Sequence, residues 1–334
     1  MISLTTFVII IIVFALIFDF VNGFHDAANA IATIVVTNTL TPLQAVLLAG
    51  GANFLGYFFS GVAVAKMVGK GIVHVDAVTL QLIMATLVGA VLWNILTWLL
   101  GLPTSSSHAL IGGLVGSAIC ASGLNVIIWP GVIKIFTFII IAPTLGFLSA
   151  MIFTTTTIWI FRPTKPQKAN SIFKILQLVS ATSASMAHGT NDAQKTMGII
   201  ALTLFTAGMI KSFEIDSWVV LASYAAISLG TVFGGWRIIK TMGTNIIKMR
   251  QMDGFCANST ATIVVYLATH LGIPVSTTHV IAGSIMGVGT VQKAANVKWV
   301  TARKIIWAWF LTIPAAATVA ALAYLPISKF LIIK

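Results

Sequence analysis

Residues 22 to 29 read N-G-F-H-D-A-A-N and residues 188 to 195 read H-G-T-N-D-A-Q-K, so Gly23, Asp26 and Ala27 fall on Gly189, Asp192 and Ala193 at an offset of 166 residues (192 less 26). A second polar string is also written twice. G-L-P-T-S-S-S-H from Gly101 to His108 is answered by G-I-P-V-S-T-T-H from Gly272 to His279 at an offset of 171 (279 less 108), and in that register Gly112 and Gly116 fall on Gly283 and Gly287. Between the strings, Ala52 to Gly69 matches Ala226 to Gly243, with Gly56, Gly61, Lys66 and Gly69 on Gly230, Gly235, Lys240 and Gly243. The chain is an internal duplication.

The sequence around the strings fixes the solvent. Of 334 residues, 58% are hydrophobic and 8% charged, and a mean hydropathy of +1.02 excludes an ordinary soluble domain. Apolar runs at Ile2 to Val21, Leu43 to Ala65, Val78 to Leu100, Val132 to Ile160, Trp218 to Ile239 and Ile305 to Leu325 compare with the roughly 20 residues of a spanning helix. This predicts an all-α, multi-pass membrane protein. No basic residue precedes the first run and Asp19 leads it straight into the first string, so it reads as part of the mature fold rather than a signal peptide. The net charge of +12 lies in loops between spans, where it sets topology and does not call for a nucleic-acid partner. Cys120 and Cys256 form no spaced pair and suggest neither a disulfide nor a metal site.

The Pro-rich basic stretch at 162–170 separates a first repeat, 1–161, from a second, 171–334. Lys and Arg are distributed unequally between matched loops. Arg237, Lys240, Lys248 and Arg250 follow one matched span, and Lys293, Lys298, Arg303 and Lys304 follow the last string, whereas their first-half counterparts carry Lys66 and Lys70 offset by Asp76, or no charge at all. Opposite charge bias in equivalent loops predicts inverted-topology repeats in a plasma (inner) membrane, with the linker's Arg162, Lys165, Lys168 and Lys174 cytoplasmic and both termini outside. Polar strings interrupting matched spans predict broken helices and re-entrant hairpins, the layout of a secondary transporter with its site between repeats.

Helical spacing puts Asn22, Asp26 and Asn29 near one face, with Gly23 placed to loosen the helix. Charged groups at membrane depth are expensive unless paired or solvated, so Asp26 and Asp192 are expected in a polar cavity. There they coordinate a coupling cation or titrate a coupling proton, or else cap a half-helix or pair with Lys195. Asp19 has no match in the second half and reads as interfacial or structural. Pro103 and Pro274 stop the helix at the second string, so Ser105, Ser106, Ser107 and Ser276, Thr277, Thr278 stand at helix starts, where amides, hydroxyls and the dipole favour an anion. The other reading of each hydroxyl is a bond to its own backbone. His108 and His279 close the cradles as structural hydrogen bonders or ligands, and without a further His or Cys cluster no transition-metal site is expected. His25 and His188 flank the aspartates; Lys195 replaces Asn29 and either attracts an anion or pairs with Asp192.

These strings resemble those of the inorganic phosphate transporter (PiT) family, which carries a G-A-N-D-V-A-N-A-type string near the start of each half and P-[ST]-S-[ST]-[ST]-H-type re-entrant strings; the resemblance covers about residues 15 to 290. It implies inverted repeats, a homodimer in the bilayer, and symport of inorganic phosphate with H+ or Na+. Asn29, Ser105, Ser106, Ser107, Asn191, Lys195, Ser276, Thr277 and Thr278 are then candidate substrate ligands, and Asn22, Asp26 and Asp192 candidate coupling-ion residues. Under sodium coupling Asp26 and Asp192 hold the metal, and no other cofactor is expected. The chain departs from the family in lacking a long central domain and in its acids: Glu214 is its only glutamate, and Asn53 stands where sodium-coupled animal members suggest an acid.

Sulfate or another oxyanion is the alternative substrate, although monohydrogen phosphate keeps a proton that a carboxylate accepts and sulfate does not. An intramembrane hydrolase using Ser105 to Ser107 with His108 is a remote alternative, since no G-x-S-x-G elbow is present. A channel fits less well than a carrier, because buried carboxylates beside an anion cradle suit coupled binding.

Overall fold

The computed structural model describes residues 2–59 and 61–330. Its helices are α1 (Leu4–Asp26), α2 (Ala28–Val36), α3 (Pro42–Leu55), α4 (Ala63–Lys70), α5 (Leu80–Leu99), α6 (Ser106–Ser122), α7 (Trp129–Phe161), α8 (Pro166–Thr206), α9 (Ser217–Phe233), α10 (Trp236–Thr244), α11 (Gln251–His270), α12 (Thr277–Gln292) and α13 (Trp299–Phe330). No β-strand occurs among the described residues. Among the described residues five helical stretches are long and apolar enough to cross a membrane, and the pair α9–α10, bent by 71° at Gly234 and Gly235, makes a sixth. These coincide with the six apolar runs.

Polarity is arranged for lipid rather than water. Ile152, Trp159, Trp307 and Leu311 point outward, while Asp19, Asp26, Asn53, Asp192 and Lys195 are buried. A hydrocarbon solvent requires this sorting, because polar groups must find partners inside the bundle.

The helix order of the first half recurs in the second, and packing partners are exchanged between halves. α6 packs on α13 and α12 on α7; α1 packs on α9 and α8 on α3; α2 packs on α10 and α8 on α4. The repeated glycines make the first exchange close: a Cβ on Gly112 would lie 2.5 Å from the Ile313 carbonyl oxygen, and one on Gly283 would lie 2.3 Å from that of Pro143. Two apolar cores result, one including Ile31, Val265 and Ile285 and the other Ile83, Leu110 and Ile200, with the polar strings at their seam.

The first string departs from its reading in one respect. α1 is interrupted at Ala27, and Gly23 is helical. Gly23 serves close approach instead, since a Cβ there would meet the Ile227 carbonyl oxygen at 2.0 Å, as one on Gly189 would meet that of Asn53 at 2.6 Å. The second copy of this string, His188 to Lys195, lies within the unbroken 41 residues of α8, so the helix break expected there is absent.

Candidate functional site

Both proline strings fold into a tight turn and a helix start. Gly101 and Gly272 take φ of 65° and 66°, a region open to glycine, and Ser105 and Ser276 cap α6 and α12. Their hydroxyls accept from the N–H of His108 at 3.1 Å and of His279 at 3.2 Å. Two of the six cradle hydroxyls therefore bond their own helices.

The other four are reached by the opposite half of the chain or are free. Asn29 on α2 donates through Nδ2 to the hydroxyls of Thr277 at 3.1 Å and Thr278 at 3.0 Å. Lys195 on α8 donates to the Ser107 hydroxyl, and Ser106 Oγ is buried without a partner. Because Asn29 and Lys195 are matched positions, as are Thr278 and Ser107, each half clasps the other's cradle with the same residue pair. The cradles meet: Ser107 Oγ lies 3.5 Å from the Val275 carbonyl oxygen, and the rings of His108 and His279 are 4.8 Å apart, the latter stacked on Trp309.

The acids gather beside this junction. Asp192 takes Lys195 Nζ on Oδ1 at 2.5 Å, and Oδ2 accepts from Asn22 Nδ2 at 3.3 Å. Asp26 Oδ1 accepts from His25 Nδ1 at 2.7 Å, and His25 Nε2 meets the Thr97 hydroxyl, itself bonded to Thr104. Asn191, matched to His25, instead donates to Thr269 on α11 at 2.7 Å and does not hydrogen-bond the cradle. His188 lies between the two acids, with Nε2 3.5 Å from Asp192 Oδ2 and 4.0 Å from Asp26 Oδ2.

The ring's orientation is fixed from behind. Thr231 donates to the backbone carbonyls of Gly23 and Ile227 and so accepts from Asn53 Nδ2 at 2.7 Å, which turns Asn53 Oδ1 to His188 Nδ1 at 3.4 Å. His188 thereby presents Nε2 to the two carboxylates. One ligand atom from each of Asp26, His188 and Asp192 lies within 4.8 Å of the others. Two buried carboxylates and an imidazole nitrogen facing one another are stable with a proton or a cation between them.

Asp19 is neither interfacial nor remote. It is fully buried beside Thr196 and Asn22, near Asp192 and Lys195. Without a counterpart in the other half it carried no signal of repetition. A cavity of about 20 Å³ beside Asn29, His188 and Thr277 has room for about one water.

The sequence profile of the phosphate transporter family matches residues 22–320. The chain belongs to that family. Among relatives of this phosphate transporter family member, a probable low-affinity inorganic phosphate transporter of Rhizobium meliloti is 50% identical over 94% of both chains, and one of Bacillus subtilis is 44% identical over 95% of this chain and 96% of the relative. A solved sodium-dependent phosphate transporter superposes with a TM-score of 0.86 at 25% identity, covering 98% of this chain and 100% of that one. The family and its members are transporters, so the chain is not an enzyme and the hydrolase alternative is removed.

Proposed function

We propose that this protein is a symporter that moves inorganic phosphate across the plasma (inner) membrane with protons or sodium ions, working as a homodimer of chains built from inverted repeats with both termini outside. The convergence of Asp26, His188 and Asp192 beside two hydroxyl-lined helix starts carries the reading. A doubly charged oxyanion crosses a low-dielectric barrier only with its charge offset, and a cation between the acids lies where it offsets charge on the neighbouring anion. Hydroxyls and helix-start amides at Ser106, Ser107, Thr277 and Thr278 supply donors for the oxyanion. The two carboxylates favour phosphate over sulfate, because monohydrogen phosphate brings a hydrogen they accept. The solved relative is a sodium-dependent phosphate transporter, which supports a cation-coupled cycle.

The test is radiolabelled phosphate uptake into proteoliposomes with proton and sodium gradients imposed separately. Accumulation above equilibrium under one of them is expected, with weak competition by sulfate. Equilibration without accumulation under either gradient would overturn symport.

A further inference from the structure

Lys195 stands where the first half carries Asn29, and its ammonium sits in a ring of oxygen. In the second-half ring, Lys195 Nζ meets Asp192 Oδ1 at 2.5 Å, the Ser107 hydroxyl, and the Val275 carbonyl at 3.3 Å. The side chain is fully buried. By the same offsets the matched first-half positions are Asp26, Thr278 and Thr104. Asn29 spends its Nδ2 hydrogens on Thr277 and Thr278, and its Oδ1 is buried with no partner.

A carboxylate, a hydroxyl and a peptide carbonyl around one positive charge form the all-oxygen set that suits a hard cation. At Asp192 the place of that cation is taken by the chain's own ammonium, so the residues there do not fit a bound metal ion. At Asp26 they fit: one ligand atom each of Asp26, His188 and Asp192 lies within 4.8 Å of the others, and Asn29 Oδ1 is buried with no partner. Lys195 has three N–H donors, and these already point at Asp192, Ser107 and Val275. It has no hydrogen left for phosphate in this arrangement.

We propose that Lys195 is a tethered substitute for one coupling cation. Of two pseudo-equivalent cation positions, the one at Asp192 is permanently filled by Nζ, and the one at Asp26 takes a mobile ion. Its consequence for transport rests on the symport reading: one ion fewer accompanies each phosphate than in a carrier with asparagine at both positions. Its consequence for binding does not. Replacing Lys195 with the residue found in the other half converts a filled position into a sodium site.

The experiment measures 22Na+ binding at saturation, with phosphate present, on detergent-purified wild type, Lys195→Asn and Lys195→Met that run as single gel-filtration species. Lys195→Asn is expected to bind one more sodium per chain than wild type. Lys195→Met, which brings no oxygen, is expected to match wild type, and Lys195→Gln replaces the Asn variant if that fails to fold. In liposomes the Asn variant should gain a sodium requirement, with its Hill coefficient for sodium higher by about one. Equal sodium stoichiometry in wild type and in the Asn or Gln variant overturns the proposal, as does a variant whose sole change is a raised KM for phosphate. If the extra sodium binds while wild-type liposomes never accumulate phosphate, symport fails and the tethered cation stands.

Discussion

Asn53 on α3 sets the orientation of His188 on α8: its amide oxygen takes Nδ1 of the imidazole at 3.4 Å while its amide nitrogen is held by Thr231 at 2.7 Å. Through that contact a residue that touches neither acid decides which nitrogen faces them. Asn53→Ala leaves the ring N–H without its acceptor, a loss of about 1–3 kcal/mol for a buried donor. Phosphate uptake efficiency should fall about five- to 150-fold. Initial-rate uptake in liposomes, with thermal unfolding run alongside, checks this; unchanged uptake with lowered stability would reduce Asn53 to packing.

The cradle hydroxyls should divide into two groups. Ser105→Ala and Ser276→Ala remove helix caps, each worth about 0.5–2 kcal/mol, and should lower thermal stability with little effect on phosphate KM. Ser106→Ala and Thr277→Ala remove side chains at the junction of the repeats and should raise phosphate KM about five- to 150-fold, as expected when a donor to a desolvated anion is lost. Parallel KM and melting measurements on all four variants separate the groups. A wild-type KM in both Ser106→Ala and Thr277→Ala would confine these hydroxyls to local bonding.

How much of this was legible follows from what repetition can show. The duplicated prolines and the glycines ahead of them announced both hairpins, because few residues allow a helix to stop and restart so sharply. Asp26 and Asp192 stood out as duplicated charges in apolar sequence. Hidden was everything set by contact between distant segments. His188 was readable as a neighbour of Asp192, but its reach to Asp26 and Asn53 spans more than a hundred positions of sequence. Asp19 had no twin to mark it. Gly23 looked like a flexible joint, yet it allows α9 to approach α1 closely. α8 begins at Pro166, inside the stretch read as a linker.

Orientation is open to direct labelling. Unequal basic charge in matched loops predicts that Lys168 and Lys248 face the cytoplasm while Lys70 faces outward. Single cysteines at these positions, in a background with Cys120 and Cys256 replaced, should react with an impermeant maleimide in intact cells at position 70 alone. Reaction at all three would sink the inverted arrangement.

The sharpest contrast should lie between Asp26→Asn and Asp192→Asn. Both remove a negative charge from the group around His188 and should abolish accumulation of phosphate against its gradient while leaving a folded protein. Their stabilities should differ, because their partners do. Asp26 is bonded to His25 at 2.7 Å, and an amide oxygen still accepts there, whereas Asp192 is the carboxylate paired with the buried Lys195 ammonium at 2.5 Å. Breaking a buried pair by removing one partner costs about 3–5 kcal/mol, since the other charge is left uncompensated. Asp192→Asn should therefore melt well below Asp26→Asn, and adding Lys195→Met to Asp192→Asn should restore stability without restoring accumulation. Uptake with proton or sodium gradients gives the functional half and thermal unfolding in detergent the structural half. Full accumulation by both single variants would remove the aspartates from coupling, and equal melting of the two would mean that the Lys195 pair contributes nothing the Asp26 contacts do not.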